Sequence, residues 1–111
     1  MKGLIIKEQW LNKIFSGDKT WEIRSSNTKI RGKIYLIQSG TKCIYGECEI
    51  EDSIKLDLLT YQTTNKHCIA RNLETLPYKN TYAWIISNAK KYKNPIPYNH
   101  PMGAVIWVNI D

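Results

Sequence analysis

The sequence lacks the patterns typical of membrane, secreted and metal-binding proteins. It has no apolar run near the roughly 20 residues of a membrane span and no signal-peptide pattern at its start. Its three cysteines form no Cys-x-x-Cys pair and are expected to stay reduced. Cys43, Cys48, His67 and Cys68 could formally bind zinc, but adjacent His67 and Cys68 would chelate poorly. The sequence therefore predicts a cytosolic protein with no membrane association, metal or other cofactor.

Several catalytic patterns are also missing. The chain has no Ser-His-Asp arrangement, no glycine-rich phosphate loop and no paired-histidine metal motif. Its formal net charge is +6, and the charge is uneven. Residues 1–33 have 8 basic and 3 acidic residues, residues 34–86 have 5 and 6, and residues 87–111 have 3 and 1. Such a distribution favours either a solvated surface or a face that attracts the phosphates of a nucleic acid.

The composition is that of a folded domain. Hydrophobic residues make up 42% of the 111 residues and aromatic residues 11%, which is enough apolar surface for one core but not for two. We therefore expect a single domain over residues 1–111.

The first third of the chain has clear local signals. Residues 3–6 are an apolar run that predicts a strand, and the spacing of Trp10, Leu11, Ile14 and Phe15 predicts a helix over residues 8–16. Gly17 would end that helix by accepting a positive φ. Residues 20–24 alternate between apolar and polar side chains, which indicates a half-buried strand with Glu22 and Arg24 presented on its polar face.

The rest of the chain is rich in strands. A polar turn over residues 25–29 precedes predicted strands over residues 32–38, 43–50, 81–87 and 104–110, and Gly46 suggests a bulge or a close backbone approach. Residues 56–73 are predicted to be helical, and residues 94–101 to be a proline-bearing loop. Five or six strands without further βαβ alternation favour an α+β fold, a small mixed β-barrel with flanking helices.

One segment combines a cation and a carboxylate at the entry of a strand. Strand parity would put Lys19 opposite Glu22, so the two can share a site only if Lys19 still belongs to the turn after Gly17. A surface ion pair of little energetic value is one interpretation. The other is a cleft in which Lys19 neutralises a phosphate or an oxyanion while Glu22 orients it or acts as a base.

The same segment resembles a known family. Leu4-Ile5-Ile6-Lys7-x-x-Trp10, a helix, and then Gly17-x-Lys19-Thr20-x-Glu22-x-Arg24 are similar to the ASCH domain family, which has a PUA-like β-barrel fold. Tyr82-Ala83-Trp84, Pro95-x-Pro97-Tyr98 and Gly103-Ala104-Val105-Ile106-Trp107 extend the resemblance to the C-terminal half.

The resemblance implies a cleft, carrying Lys19, Glu22 and Arg24, for RNA or a modified nucleoside. The family includes RNA-associated domains, a single-strand ribonuclease and amidohydrolases that deacylate cytidine, so the fold alone does not choose among them. The amidohydrolases carry a threonine nucleophile three residues after the lysine. Glu22 stands there in this chain, so an acyl-enzyme route is not carried over.

The predicted site has two catalytic candidates, Lys19 and Glu22. If the protein is a hydrolase, we expect it to need both. We expect the binding residues to be Lys7, Arg24, Lys29, Arg31, Ser39, Lys42, Tyr98 and His100. The basic members should form one concave positive surface, whereas Ser39 and His100 could each bind a ligand or only support a turn. Trp10 and Trp21 are expected mainly in the core. A protein-interaction module using exposed Tyr35, Tyr45 and Tyr61 is the rival hypothesis.

Overall fold

The computed structural model describes residues 1–70 and 74–110. The elements in chain order are β1 (Lys2–Ile6), α1 (Glu8–Ser16), β2 (Trp21–Arg24), β3 (Gly32–Gln38), β4 (Cys43–Lys55), α2 (Leu58–Thr63), β5 (Tyr82–Pro97) and β6 (Trp107–Asn109).

The described strands form one mixed sheet in the order β2-β5-β4-β3-β1-β6. β1 runs parallel to β3, and the other neighbours are antiparallel. Register shifts along β4, three against β5 and one against β3, bend this sheet. The sheet curls into a half-barrel whose two edges, β2 and β6, are not paired with each other. This confirms the predicted small mixed barrel.

Helix α1 has the predicted bounds and packing. Leu11 and Ile14 are buried, and Trp10 and Phe15 pack against the same core. Gly17 ends the helix with φ 89° and donates its N–H to the carbonyl of Ile14, as expected for a left-handed glycine cap. The chain then turns directly into β2, and Lys19, two residues after the cap, is buried, whereas Asp18 stays exposed.

Strand β2 is covered on both faces. The main core inside the half-barrel contains Leu4, Leu36 and Trp84, and Glu22 lies opposite Trp84 in the β2–β5 register. Trp21 and Ile23 point to the other face and pack in a second cluster with Tyr61. The expected core position of Trp21 is therefore confirmed.

The predicted loop over residues 94–101 is wrong in its first half, because β5 continues to Pro97. Beyond Ile85 this strand pairs with β4 alone, so one of its edges has no partner strand among the described residues. Proline is tolerated at such an edge, where its missing N–H is not needed. Strand β4 likewise extends past residue 50, to Lys55.

Two other elements are shorter than predicted. The last strand covers only Trp107–Asn109, because Ala104 and Pro101 form a turn and Gly103 has φ 81°. The helix predicted over residues 56–73 is limited to Leu58–Thr63, starting at an Asp57 cap whose side chain accepts from the Thr60 N–H; residues 71–73 lie outside the described part of the chain. In that part, neither helix has the length and apolar character that a membrane crossing requires.

Candidate functional site

A cavity of about 350 Å³ lies where the half-barrel fails to close, between β2 and the β1–β6 end of the sheet. We call it the seam cavity. Its lining residues are Ile5, Lys7, Trp10, Lys19, Glu22, Ile23, Arg24, Ser39, Ile69, Pro77, Tyr78 and Val105. Three of these side chains are cationic and one is anionic, so the described wall has a formal charge of +2. Volumes of this size are typical of small-molecule sites.

Glu22 sits between two cations at the floor of the seam cavity. Its Oε2 accepts from Arg24 Nε at 3.0 Å and from Arg24 Nη2 at 2.7 Å. Its Oε1 lies 3.7 Å from Lys19 Nζ. The two residues meet because Lys19 precedes β2, as the sequence required. Glu22 thus fixes the positions of both cations, and its Oε1 edge remains for a water or ligand.

Lys19 is a buried cation, with only 2% of its surface exposed. Its Nζ donates to the carbonyl of His67 at 2.5 Å and lies 4.8 Å from the centre of the Trp10 ring. Burial lowers the pKa of Lys19 below its usual value, although the nearby Glu22 acts in the opposite direction. An ammonium group has three donors, so Lys19 keeps donor capacity for a ligand.

Arg24 joins the two sides of the open sheet. Its Nη2 donates to the carbonyl of Ile5 on β1 at 3.0 Å while it also holds Glu22 on β2. The guanidinium lies 5.5 Å from the centre of the Trp84 ring, within the range of a cation–π contact. The same side chain therefore forms part of the cavity wall and bridges the seam.

The expectation that the polar face of β2 is presented to solvent is wrong for its central member. Glu22 is only 5% exposed, and Lys19 is more buried still. The physical reason is the curl of the sheet, which turns this face toward the core side of β5, where Trp84 lies. The alternative of a surface ion pair is therefore excluded, because both partners are buried at the bottom of a cavity.

The structure divides the predicted binding residues into two groups. Lys7, Arg24 and Ser39 line the seam cavity with Lys19 and Glu22. Lys29, Arg31 and Lys42 do not line it, so the single concave positive surface that would include them stays a prediction. Arg31 instead donates to the carbonyls of Thr28 and Ile30 and pairs with Asp52, whereas Lys29 and Lys42 are exposed in turns before β3 and β4.

Tyr98 and His100 also lie outside the seam cavity. The Tyr98 hydroxyl contacts His100 Nδ1 at 2.7 Å, and His100 Nε2 contacts the carbonyl of Ala104 at 2.9 Å. Tyr98 lines a separate cavity that also contains Tyr35. Of the rival interaction residues, Tyr61 is fully buried and cannot be an exposed aromatic; Tyr35 and Tyr45 are half-buried.

Sequence reasoning missed the residues that form the far wall of the seam cavity. Ile69, Pro77 and Tyr78 come from the segment after α2, and Val105 comes from the turn before β6. None lies in a motif, and their positions depend on tertiary packing. Trp10, expected mainly in the core, is half-buried and also lines the cavity.

His67 supports this wall from behind. It is fully buried, its Nδ1 accepts from the Ile69 N–H at 3.0 Å, and its Nε2 contacts the carbonyl of Tyr61 at 2.8 Å. Because Nδ1 accepts, the Nε2–H is the donor. The possible zinc set that includes His67 is not assembled, since no three His, Cys, Asp or Glu residues among those described are grouped to hold a metal.

Comparison with known proteins gives a consistent result. Residues 4–96 match the family model described as the ASCH domain. No curated protein matches the chain.

Solved structures with the same fold come from Zymomonas mobilis. The crystal structure of its ASCH protein superposes with a TM-score of 0.68 at 15% identity, covering 86% of this chain and 72% of that one. A tyrosine-to-phenylalanine variant gives 0.66 at 17% identity, covering 86% and 74%. A serine-to-alanine variant gives 0.65 at 15% identity, covering 99% and 87%. The half-barrel is therefore a PUA-like fold, and the chain belongs to the ASCH domain family.

Proposed function

We propose that the seam cavity binds one nucleotide of a single-stranded RNA or a modified nucleoside. The observation that carries the proposal is a cavity wall that holds the cations Lys7, Lys19 and Arg24, the last two paired with Glu22, together with Trp10 and Tyr78. The fold, which is generally linked to RNA binding, supports the same ligand class.

The cavity wall offers a ligand three contacts of different chemistry. Lys7 is exposed at the mouth and Lys19 is buried at the floor, so the first suits a phosphate and the second suits a carbonyl or phosphoryl oxygen that enters the cavity. Tyr78 is 45% exposed at the opposite rim, where its ring can stack on a base. A nucleotide uses all three contacts, whereas an inorganic anion would leave the aromatic rim unused.

Titration of single-stranded RNA at two salt concentrations tests this proposal. Binding should weaken with rising salt, with a slope of about −0.7 per phosphate neutralised. Lys7→Ala should weaken binding and reduce the slope. Lys93→Ala removes an exposed lysine outside the cavity wall and serves as the matched control. Equal effects of the two substitutions, or binding that does not depend on salt, would contradict the proposal.

A second candidate is hydrolysis of a modified cytidine or of single-stranded RNA at the same site. The lowered pKa of buried Lys19 favours it, because such shifts are common at catalytic positions. Lys19 would stabilise a developing negative charge, and Oε1 of Glu22, the carboxylate oxygen that Arg24 does not hold, would accept a proton from water. Arg24 would hold Glu22 in place.

Turnover assays on acylated cytidine and on single-stranded RNA separate the two candidates. Loss of an electrostatic donor commonly costs about 100-fold or more in rate, and loss of a general base costs about 100-fold to 10,000-fold. Lys19→Ala and Glu22→Gln should therefore both nearly abolish activity. A wild-type protein that binds RNA but turns over neither substrate is a binding module. Full activity in Lys19→Ala would show that this site is not catalytic.

A further inference from the structure

A second cavity, of about 360 Å³, opens on the other face of the sheet. We call it the tyrosine cavity. Its lining residues are Tyr35, Ile44, Ile96, Pro97, Tyr98, Asn99, Asn109 and Ile110. It is as large as the seam cavity but differs in chemistry, because none of these residues is charged. A ligand here should be neutral and partly polar.

The ring of Tyr98 is fixed in this wall. The carbonyl of Ala104 can only accept, so His100 Nε2 donates to it, and His100 Nδ1 is left to accept from the Tyr98 hydroxyl. The Tyr98 N–H also donates to the carbonyl of Lys42 at 3.2 Å. His100 is thus a positioning residue, and Tyr98 presents its ring with little freedom left to lose on binding.

The two cavities share two loops, residues 39–42 and residues 98–105, which contribute to both. Ser39 lines the seam cavity, and three residues later Lys42 contacts Tyr98 of the tyrosine cavity. Val105 lines the seam cavity, and its neighbour Ala104 anchors His100. Three residues span at most about 11 Å, and exposed Lys42 lies on this connection. An RNA segment that follows this loop from one cavity to the other would pass the exposed Lys42.

We propose that the tyrosine cavity binds a second, unpaired nucleobase of the RNA whose neighbouring segment occupies the seam cavity. A base has a flat face for Tyr35 and Tyr98 and polar edges for the amides of Asn99 and Asn109, which are exposed and have no hydrogen bond to another described residue. An aliphatic protein side chain would leave those polar groups unmatched when it excluded water. The inference depends on RNA binding by this domain, but it concerns residues that the seam cavity does not use.

The test uses single-stranded oligoribonucleotides that grow by one nucleotide at a time. Wild-type affinity should rise in a step at the length that reaches both cavities. Tyr35→Leu keeps an apolar side chain but removes the ring, so it should abolish the step and weaken long oligonucleotides about fivefold or more. Tyr35→Phe keeps the ring and should retain the step. Thermal unfolding of each variant verifies folding.

Two further measurements make the result decisive. Photocrosslinking of the wild-type protein to oligonucleotides containing 4-thiouridine should label the peptides carrying Tyr35 or Tyr98. Lys19→Ala should weaken the binding of every oligonucleotide length equally. If Lys19→Ala leaves all affinities unchanged while the wild type still shows the step, the seam-cavity site is refuted and the second base site is not. Unchanged binding of long oligonucleotides by Tyr35→Leu, with no label on either tyrosine, would overturn the second base site.

Discussion

Lys19 is a cation in an environment unlike that of a surface side chain. It is buried beside Glu22 and the ring of Trp10, and its ammonium group is held by the carbonyl of His67. Burying a charge costs stability even when the charge is paired, and Lys19 lies in a cavity wall where that charge can meet a ligand. A buried cation with a lowered pKa in the wall of a cavity is a candidate for a functional role.

The lowered pKa of Lys19 predicts a pH dependence of binding. Below its folded-state pKa the side chain is charged, and above it the seam cavity loses one positive charge. RNA affinity should therefore fall as the pH rises through a window that ends below 10.5. Lys19→Arg stays charged throughout, so a fluorescence titration should show a smaller fall for it. Parallel curves for the two proteins would contradict the prediction.

The same shift fixes the sign of a stability effect. Between the folded-state pKa and 10.5, the unfolded chain holds more protons on Lys19 than the folded chain does. Raising the pH through this window should therefore stabilise the fold of the wild type relative to Lys19→Met, which has no such proton. The measurement is the difference between their free energies of unfolding in urea at several pH values. A free energy of unfolding of the wild type that falls relative to that of Lys19→Met as the pH rises would contradict the prediction.

At the scale of elements, the sequence predicted the helices and strands correctly where they depend on local contacts. The bounds of α1 and its glycine cap follow from apolar spacing and Gly17. The extension of β5 through Pro95 and Pro97 did not, because it depends on β4 lying beside it and on a free opposite edge. Lys19, Glu22 and Arg24 were found from one short motif. Tyr78 and Ile69 were not, because they reach the site only through the packing of the segment after α2.

Gly46 illustrates an element that depends on one missing side chain. The sequence indicated a bulge or a close approach, and both are present: the β4–β5 register shifts next to Gly46, and a Cβ there would lie 2.2 Å from the carbonyl oxygen of Lys90 and 2.7 Å from the Phe15 ring. The backbone of β5 and the end of α1 therefore both pack on this position.

Gly46→Ala should lower the free energy of unfolding by about 2 kcal/mol or more, because backbone and ring must both shift. Gly17→Ala is the matched comparison, since its Cβ would meet nothing within 4 Å and the cost comes from φ 89° alone, about 1 kcal/mol. Urea denaturation of the two variants measures the difference. A smaller loss for Gly46→Ala than for Gly17→Ala would show that β4 and β5 separate easily at this point.

At the scale of the molecule, the open seam explains why the site lies where it does. The half-barrel leaves β2 and β6 unpaired with each other, and the contact between Arg24 and the Ile5 carbonyl crosses the gap. The buried charges are tolerated there because Glu22 pairs with both Lys19 and Arg24. Arg24 also binds a backbone carbonyl of β1, to which β2 has no strand pairing. This global feature could not be deduced from the motif, whose residues occupy a single strand and the turn before it.

The seam also predicts how a ligand should change the stability of the molecule. A ligand in this cavity contacts both sides of the gap and binds the folded state alone, so it should stabilise the fold by RT ln(1 + [L]/Kd), about 2.7 kcal/mol at 100 times Kd. Hydrogen exchange should slow most in β2 and around Ile5 and Val105, and least where Gly46 and Glu47 pair with β5, because these two residues and their partners line neither cavity. Lys19→Ala, measured at the same RNA concentration, should lose most of the thermal shift. Protection spread evenly over all strands, with an unchanged shift in Lys19→Ala, would mean that RNA binds elsewhere on the surface and not in the seam.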